Sequence, residues 1–201
     1  MSLFNIPLEQ LVQHLINGLT LGAIYALIAL GYTMVYGILK FINFAHGEIL
    51  MMGTYAGLYC FGALVGGGET GWAQTALFGV AIVAGMTVSA ALGVAVERIA
   101  YKPLRKAPRL APLLSAIGVS IILMNVAALI FGTEPQRFEY PFDNTAIDVH
   151  GIAVTPHQLM VLGVSLTLMI ALKLFIDRSR LGKAMRATSE NQDVAALMGI
   201  N

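Results

Sequence analysis

His46 and Glu48 are separated by one residue and lie in a polar stretch between two long apolar runs. Zinc deaminases use the same H-x-E spacing, with the histidine as a metal ligand and the glutamate as a proton shuttle. That chemistry needs two further thiolate ligands, and Cys60 is the only cysteine of the chain. His46 and Glu48 therefore do not predict a zinc site, and their position between two apolar runs needs another explanation.

Signatures of other chemistries are also missing from the sequence. It holds no G-x-x-x-x-G-K-[ST] phosphate loop and no G-x-S-x-G nucleophile motif. His14, His150 and His157 are scattered singly, so we expect interfacial or loop positions for them. The net charge of +1 argues against a nucleic-acid partner. We predict a protein that is not an enzyme and that holds no metal or cofactor of its own.

Five runs of 20 to 30 residues contain no Asp, Glu, Lys or Arg. Each run reaches the roughly 20 apolar residues that cross a bilayer core of about 30 Å. Charged residues make up only 11% of the chain, too few to cover a soluble surface. We therefore predict an all-α polytopic membrane protein with five or six membrane segments. The runs cover residues 10–39, 49–68, 70–96, 110–133 and 149–172.

The charged residues between the runs predict an orientation, because cytoplasmic loops carry the excess of Lys and Arg. Two basic clusters are assigned inside, and the acidic loop between them is assigned outside. Counting backwards puts Glu69 and the amino terminus outside and Lys40 inside. The first basic cluster is Arg98, Lys102, Arg105, Lys106 and Arg109, and the second is Lys173, Arg178, Arg180, Lys183 and Arg186. The acidic loop holds Glu134, Glu139, Asp143 and Asp148.

The stretch GYTMVYGILKFINFAHGEILMMGTYAG, residues 31–57, differs most from a plain span. A continuous helix over residues 10–39 would be about 45 Å long, which exceeds the hydrocarbon thickness. Its glycines and polar side chains favour a broken or re-entrant element around residues 31–48, of the kind that builds substrate paths in transporters. An ordinary cytoplasmic turn, with Lys40 at the interface and Glu48 near a helix start, is the alternative. The predicted pathway residues are Tyr32, Tyr36, Asn43, His46 and Glu48.

Small residues recur every four positions in the first and third runs, which places them on one face of each helix. Such stripes allow helix backbones to approach closely in lipid, so we expect tight helix packing there and no ligand. The residues are Gly18, Gly22 and Ala26 in the first run, and Ala81, Gly85, Ser89 and Gly93 in the third.

The carboxyl-terminal residues predict a short helix that begins at Ser189. Ser189 and Gln192 have capping-box spacing, and Gly199 stands where a C-terminal cap would end the helix. Val194, Leu197 and Met198 would form one apolar stripe, which can dock into a groove of another protein or rest on lipid headgroups.

The stretch over residues 31–57 closely resembles the signature of the permease subunits of ABC importers for branched-chain amino acids. The segments VERIAYKPLR, LSAIGVSIILMN and RSRLGKAMRATSENQDVAALMGIN follow in the order and spacing of that family. The resemblance implies a permease of a bacterial cytoplasmic (inner) membrane that imports branched-chain amino acids. It also implies several partners: a second homologous permease subunit, two cytoplasmic ATPase subunits that bind the ATP, and an external solute-binding protein.

The resemblance assigns the segment 178–201 to coupling with the ATPase subunits. The usual coupling motif is Glu-Ala-Ala followed by three residues and Gly, whereas Asp193, Val194 and Ala195 precede Gly199 here. The expected coupling residues are Arg186, Glu190, Asp193, Ala195, Leu197 and Gly199.

Residues 1–201 are predicted to form a single transmembrane permease domain, which we expect to be C-terminally incomplete because members of the family are usually longer. A permease for urea or short amides is an alternative from the same superfamily. An ion-coupled secondary transporter, which needs no ATPase partner, is an alternative from another class, and a non-transporting assembly subunit is a third.

Overall fold

The computed structural model describes residues 7–65, 71–104, 107–108, 110–138, 145–149 and 151–200. The side chains of Leu39, Val149 and Asp193 lie outside this description, and so do seven residues assigned above to loops. Five described helices are long and apolar enough to cross a membrane, which confirms the all-α polytopic fold. The seven loop residues are Glu69, Arg105, Lys106, Arg109, Glu139, Asp143 and His150.

The helices follow the first four predicted apolar runs closely, but the fifth run, 149–172, begins in a β-hairpin and its helix is shifted to Pro156–Arg178. Contacts divide the described residues into two compact units, with residues 7–40 and 145–200 in unit 1 and residues 41–138 in unit 2. Unit 1 holds α1 (Leu8–Leu39), β1 (Ile147–Val149), β2 (Ile152–Val154), α5 (Pro156–Arg178), α6 (Arg180–Glu190) and α7 (Gln192–Leu197). Unit 2 holds α2 (His46–Val65), α3 (Trp72–Val96), a π-helical turn (Glu97–Tyr101), a 3-10 turn (Lys102–Leu104) and α4 (Leu110–Phe131).

In unit 1, a network of side-chain amides joins the beginning of α1 to a β-hairpin. Antiparallel strands β1 and β2 pair Asp148 with Ala153. The Gln13 amide donates to the Ala153 carbonyl over 3.0 Å and accepts from the Ala153 N–H over 2.9 Å. Asn17 Oδ1 accepts from Gln158 Nε2 over 2.8 Å, in the first turn of α5. The start of α1, the hairpin and the start of α5 therefore meet at one end of unit 1.

The opposite end of unit 1 brings α7 to the end of α1. Gln192 Nε2, in the first turn of α7, donates to the Ile38 carbonyl over 2.7 Å. This bond satisfies one of the carbonyls that a helix end leaves without an intrahelical donor. The basic residues after α5 belong to the same end, because α6 connects α5 directly to α7.

In unit 2, α2 and α3 pack with their backbones almost in contact. A Cβ added at Gly85 would lie 2.6 Å from the Gly53 carbonyl oxygen, and one at Gly57 would lie 3.1 Å from the Ala81 oxygen. Ser89 Oγ also donates to the Ile49 carbonyl over 3.2 Å. Ala81, Gly85 and Ser89 of the third-run stripe therefore pack closely as predicted, whereas a Cβ added at Gly93 would meet no described atom within 4 Å.

The stripe of the first run behaves differently. A Cβ added at Gly18 or Gly22 would meet no atom of the described residues within 4 Å. The expectation of a close backbone contact at these two glycines is therefore wrong for this structure.

The interruption expected around residues 31–48 is shorter than predicted. The α1 helix runs without a break in its helical assignment through Gly31 and Gly37 for 32 residues, or about 48 Å. It ends where Lys40 adopts the left-handed conformation, with φ 59°, and donates its N–H to the Tyr36 carbonyl. Residues 40–45 alone separate α1 from α2.

Candidate functional site

Asn43 organises the polar connection that precedes α2. Its Oδ1 accepts from the Tyr101 hydroxyl over 2.6 Å and from the Ala45 N–H over 3.1 Å, and its carbonyl accepts from the His46 N–H over 3.2 Å. Asn43 is 8% exposed and Tyr101 is 3% exposed. The side chain therefore forms a local turn that begins α2 and ties this turn to the π-helical segment.

Glu48 lies in the first turn of α2, where the positive end of the helix dipole favours a carboxylate. Among the described residues, its Oε2 is buried and has no hydrogen-bond donor. Buried polar atoms in proteins are nearly always hydrogen-bonded, so this oxygen needs a specific explanation. Asn43 and Glu48 therefore differ, because Asn43 Oδ1 accepts two hydrogen bonds within unit 2, whereas Glu48 Oε2 accepts none from the described residues.

The other predicted pathway residues are divided between the two units. His46 is half-buried as the first residue of α2 in unit 2. Tyr32 and Tyr36 lie on α1 in unit 1, where Tyr32 is half-buried and Tyr36 is 50% exposed. Within unit 2, the structure brings His46 and Glu48 together in one helical turn, directly after Asn43. The pathway role of all five residues stays a prediction.

A groove of about 380 Å³ follows one face of α2 in unit 2. This volume lies within the usual range of small-molecule sites, about 300–1,000 Å³. Its α2 residues recur every three or four positions, and Gln136 and Phe138 close it from the segment after α4. Phe138 is held there by Phe61, with ring centroids 5.0 Å apart. The groove is lined by Gly47, Leu50, Met51, Thr54, Tyr55, Leu58, Gln136 and Phe138.

None of the groove residues was predicted from the sequence as a site. Leu50, Met51 and Leu58 are ordinary residues of a membrane span, and nothing in their type distinguishes a groove from lipid contact. Glu48 is the sequence signal for this region of α2, because an ionisable residue in a membrane span usually marks a functional site.

The predicted coupling segment forms a compact structure in unit 1. Arg186 Nη1 donates to Asp177 Oδ1 over 3.0 Å, which fixes α6 against the end of α5. Gly182 packs on the Ile176 backbone so closely that a Cβ would overlap it. Ala195 is 3% exposed and anchors α7. The segment is therefore a defined extension of α5.

The helix predicted to begin at Ser189 begins at Gln192 instead. Ser189 lies inside α6, and its hydroxyl donates to the Arg186 carbonyl over 2.7 Å. Asn191 takes the capping role, because its Oδ1 accepts from the Val194 N–H over 3.1 Å. The capping box is therefore wrong, and Glu190 ends α6 rather than beginning α7.

The predicted end of α7 is confirmed. Gly199 has φ 82°, the Ile200 N–H bonds the Ala195 carbonyl, and the Gly199 N–H bonds the Ala196 carbonyl. This pair of bonds is a Schellman motif, which stops a helix at a glycine.

Helix α7 exposes an apolar stripe. Val194, Leu197 and Met198 are 54%, 86% and 78% exposed. With six residues, or about 9 Å, α7 is too short to cross a membrane. The exposed apolar side chains of a membrane span contact lipid tails, but this explanation does not apply to α7.

A catalytic metal is not supported by the side chains present. The described residues contain no group of three or more His, Cys, Asp or Glu side chains that could hold a metal ion. His46 and Glu48 are therefore polar groups in the first turn of a membrane helix.

Comparison with protein families matches residues 14–201 to a family described as the permease component of branched-chain amino acid transport systems. The chain belongs to this permease family. It is accordingly a multi-pass membrane protein, in agreement with its five long apolar helices. No solved structure matches the chain.

Curated relatives of the permease come from bacteria and from an archaeon. The high-affinity branched-chain amino acid transport system permease protein LivH of Escherichia coli K12 is 41% identical over 195 residues, which cover 94% of this chain and 62% of LivH. The corresponding protein BraD of Pseudomonas aeruginosa is 40% identical over 196 residues, which cover 94% of this chain and 62% of BraD. A probable LivH of Methanocaldococcus jannaschii is 27% identical over 188 residues, 87% of this chain and 54% of that protein. The chain thus spans less than two thirds of the length of these relatives.

Proposed function

We propose that this chain is the membrane-spanning permease subunit of an ATP-driven importer of branched-chain amino acids. The observation that carries the proposal is the family match over residues 14–201, with 40–41% identity to LivH and BraD. The bacterial cytoplasmic membrane is the proposed location. In this role the chain provides part of a passage through the bilayer and performs no covalent chemistry.

The arrangement of unit 1 supports the orientation that we propose. One end carries α7 and the described basic residues Arg178, Arg180 and Lys183, and the other carries the hairpin with Asp148. Basic residues next to spans favour the cytoplasm. We therefore infer that α7 lies in the cytoplasm and the hairpin lies outside.

Four partners complete the proposed importer: a second homologous permease, two ATPase subunits and an external solute-binding protein. The apolar stripe of α7 suits an ATPase groove, because Val194, Leu197 and the adjoining Met198 expose apolar side chains on a helix that a hydrogen bond ties to the end of α1. Nucleotide binding by the ATPases would shift the permease between outward and inward states through this contact.

Uptake of labelled leucine tests the proposal. The permease is reconstituted into vesicles with its partner subunits, with ATP on the side of the ATPases and loaded binding protein on the other. We expect leucine uptake that requires ATP, persists without an ion gradient and is not reduced by excess urea. Inhibition by urea would indicate that the transported substrates are short amides. Uptake driven by an ion gradient without ATP would identify a secondary transporter.

A further inference from the structure

We propose that Glu48 and the α2 groove together form a subsite for the transported amino acid. In this subsite Glu48 Oε2 accepts hydrogen bonds from the α-ammonium group, and the groove takes the branched aliphatic side chain. The inference deepens the proposed function and rests on it.

The first observation is the unpartnered oxygen of Glu48. Oε2 is buried and has no donor among the described residues, although Asn43 and Tyr101 in the same unit find partners. A primary ammonium group offers three donors and a positive charge, and charge-assisted hydrogen bonds of this type are short and strong. A bound α-ammonium group would thus supply the donor that this oxygen lacks among the described residues.

The second observation is the position of the groove relative to Glu48. Met51 and Tyr55 follow Glu48 at intervals of three and four residues, so the three residues share one stripe of α2. Met51 and Tyr55 both line the groove, and Gly47, which precedes Glu48, forms its first lining position. Glu48 is not itself a lining residue, but these neighbours place it at the edge of the α2 face that the groove follows.

The third observation is the chemistry of the groove walls. Leu50, Met51 and Leu58 provide aliphatic and thioether surface. Thr54 donates its hydroxyl to the Leu50 carbonyl over 3.0 Å, so its hydrogen is engaged within α2. These walls favour an uncharged branched side chain, and the Gln136 amide, which also lines the groove, is a donor that can serve the carboxylate of the amino acid.

Protection of a single thiol measures occupancy of the groove directly. Cys60 is the only cysteine, so Cys60→Ser with Thr54→Cys leaves one reactive thiol inside the groove. The variant is assembled with its partner subunits in nanodiscs and treated with a small methanethiosulfonate reagent. We expect leucine to slow the modification, whereas 4-methylpentanoate, which is leucine without its amino group, should not slow it at the same concentration.

A Glu48→Gln substitution in this background tests the carboxylate. We expect half-maximal protection to need about tenfold more leucine, because an ion pair becomes a neutral hydrogen bond. The modification rate without leucine should stay unchanged, which shows that the groove is still formed. Glu134→Gln, at an exposed acidic residue, is the matched control and should leave protection by leucine unchanged.

The outcomes separate the two proposals. If the unsubstituted complex imports leucine but leucine never protects the thiol, the subsite is wrong and the proposed function stands. Equal protection of Glu48→Gln and the parent, or equal protection by 4-methylpentanoate, would also overturn the role of Glu48. If the unsubstituted complex neither imports leucine nor shows protection, the proposed function fails and the subsite fails with it.

Discussion

Glu48 in unit 2 and α7 in unit 1 depart in opposite ways from the usual partition of polar and apolar groups. Glu48 buries a carboxylate oxygen that has no donor in the described part of the chain, whereas α7 exposes Leu197 at 86%. Buried polar groups and exposed large apolar groups are the informative exceptions in a folded protein. An unpartnered oxygen can be satisfied by one small donor, but an apolar stripe needs a surface. The two regions therefore suggest a small ligand and a protein partner, respectively.

The largest expected effect is the difference in thiol labelling between the two sides of the membrane. It tests on which side each charged segment lies. Single cysteines at Lys102 and Lys183, made in a Cys60→Ser background, should react with an impermeant thiol reagent only from the cytoplasm. A cysteine at Asp148 should react only from outside. Labelling of inverted and right-side-out vesicles gives an all-or-none result. Reaction of position 102 from outside would overturn the orientation of unit 2, and reaction of position 183 from outside would remove α7 from the side of the ATPases.

Charging the α7 stripe should weaken ATPase binding by more than tenfold. Leu197→Glu places an unpaired carboxylate in a contact that we propose to be dry, and truncation alone at an important interface position costs more than about 1 kcal/mol. Co-purification of the ATPase with the permease measures the effect. Ala196→Glu is the matched control, because Ala196 is exposed and about 100° from Leu197 around α7.

The two α7 variants distinguish a protein partner from lipid headgroups. ATPase recovery at the parental yield with Leu197→Glu, together with intact substrate-stimulated hydrolysis, would refute the coupling role. A stripe that rests on headgroups would lose membrane contact in this variant and leave ATPase binding unchanged.

Close packing of α2 on α3 should contribute to the stability of unit 2, which contains Glu48. Gly85→Ala would bring a methyl group to 2.6 Å from the Gly53 carbonyl oxygen, and a backbone atom cannot move aside as a flexible side chain could. We expect a loss of about 1–3 kcal/mol, measured by thermal unfolding in detergent. Gly79→Ala, where a Cβ meets nothing within 4 Å, should be close to neutral. Equal stability of the two variants would contradict the close contact.

The smallest effect should follow removal of the hydroxyl that holds Asn43. Tyr101→Phe removes one of the two hydrogen bonds that Asn43 Oδ1 accepts from described residues, which should cost about 1 kcal/mol of stability. Asn43→Ala should cost more, because the turn before α2 is lost as well. Tyr59→Phe, at a side chain that is 50% exposed, is the control. A larger loss from Tyr59→Phe than from Tyr101→Phe would contradict the anchoring role of Asn43.

The spans could be predicted because their signal is local. An apolar run long enough to cross the bilayer has few alternatives to a helix, and the predicted run 110–133 corresponds to α4 at Leu110–Phe131. The start of α7 was misplaced because Ser189 and Asn191 are both good caps, and the choice depends on which carbonyl the serine hydroxyl can reach. Gly199 was predicted correctly because a left-handed helix end strongly favours glycine.

The polar contacts could not be predicted because their partners are far apart in the sequence. Tyr101 lies 58 residues after Asn43, and Ala153 lies 140 residues after Gln13. No periodicity links such pairs. Glu48 was recognised by its charge within an apolar region, but the groove beside it becomes visible only when α2 and the segment after α4 are placed together.

The bonds between Gln13 and Ala153 have a consequence for how the protein behaves at high density in a membrane. A primary amide carries the same donor and acceptor as a peptide group, so Gln13 occupies the free side of β2 much as a third strand would. Unprotected sheet edges recruit strands from neighbouring molecules and lead to aggregation. By binding this edge, one side chain of α1 protects the hairpin from edge-to-edge association at that position with other copies of the chain.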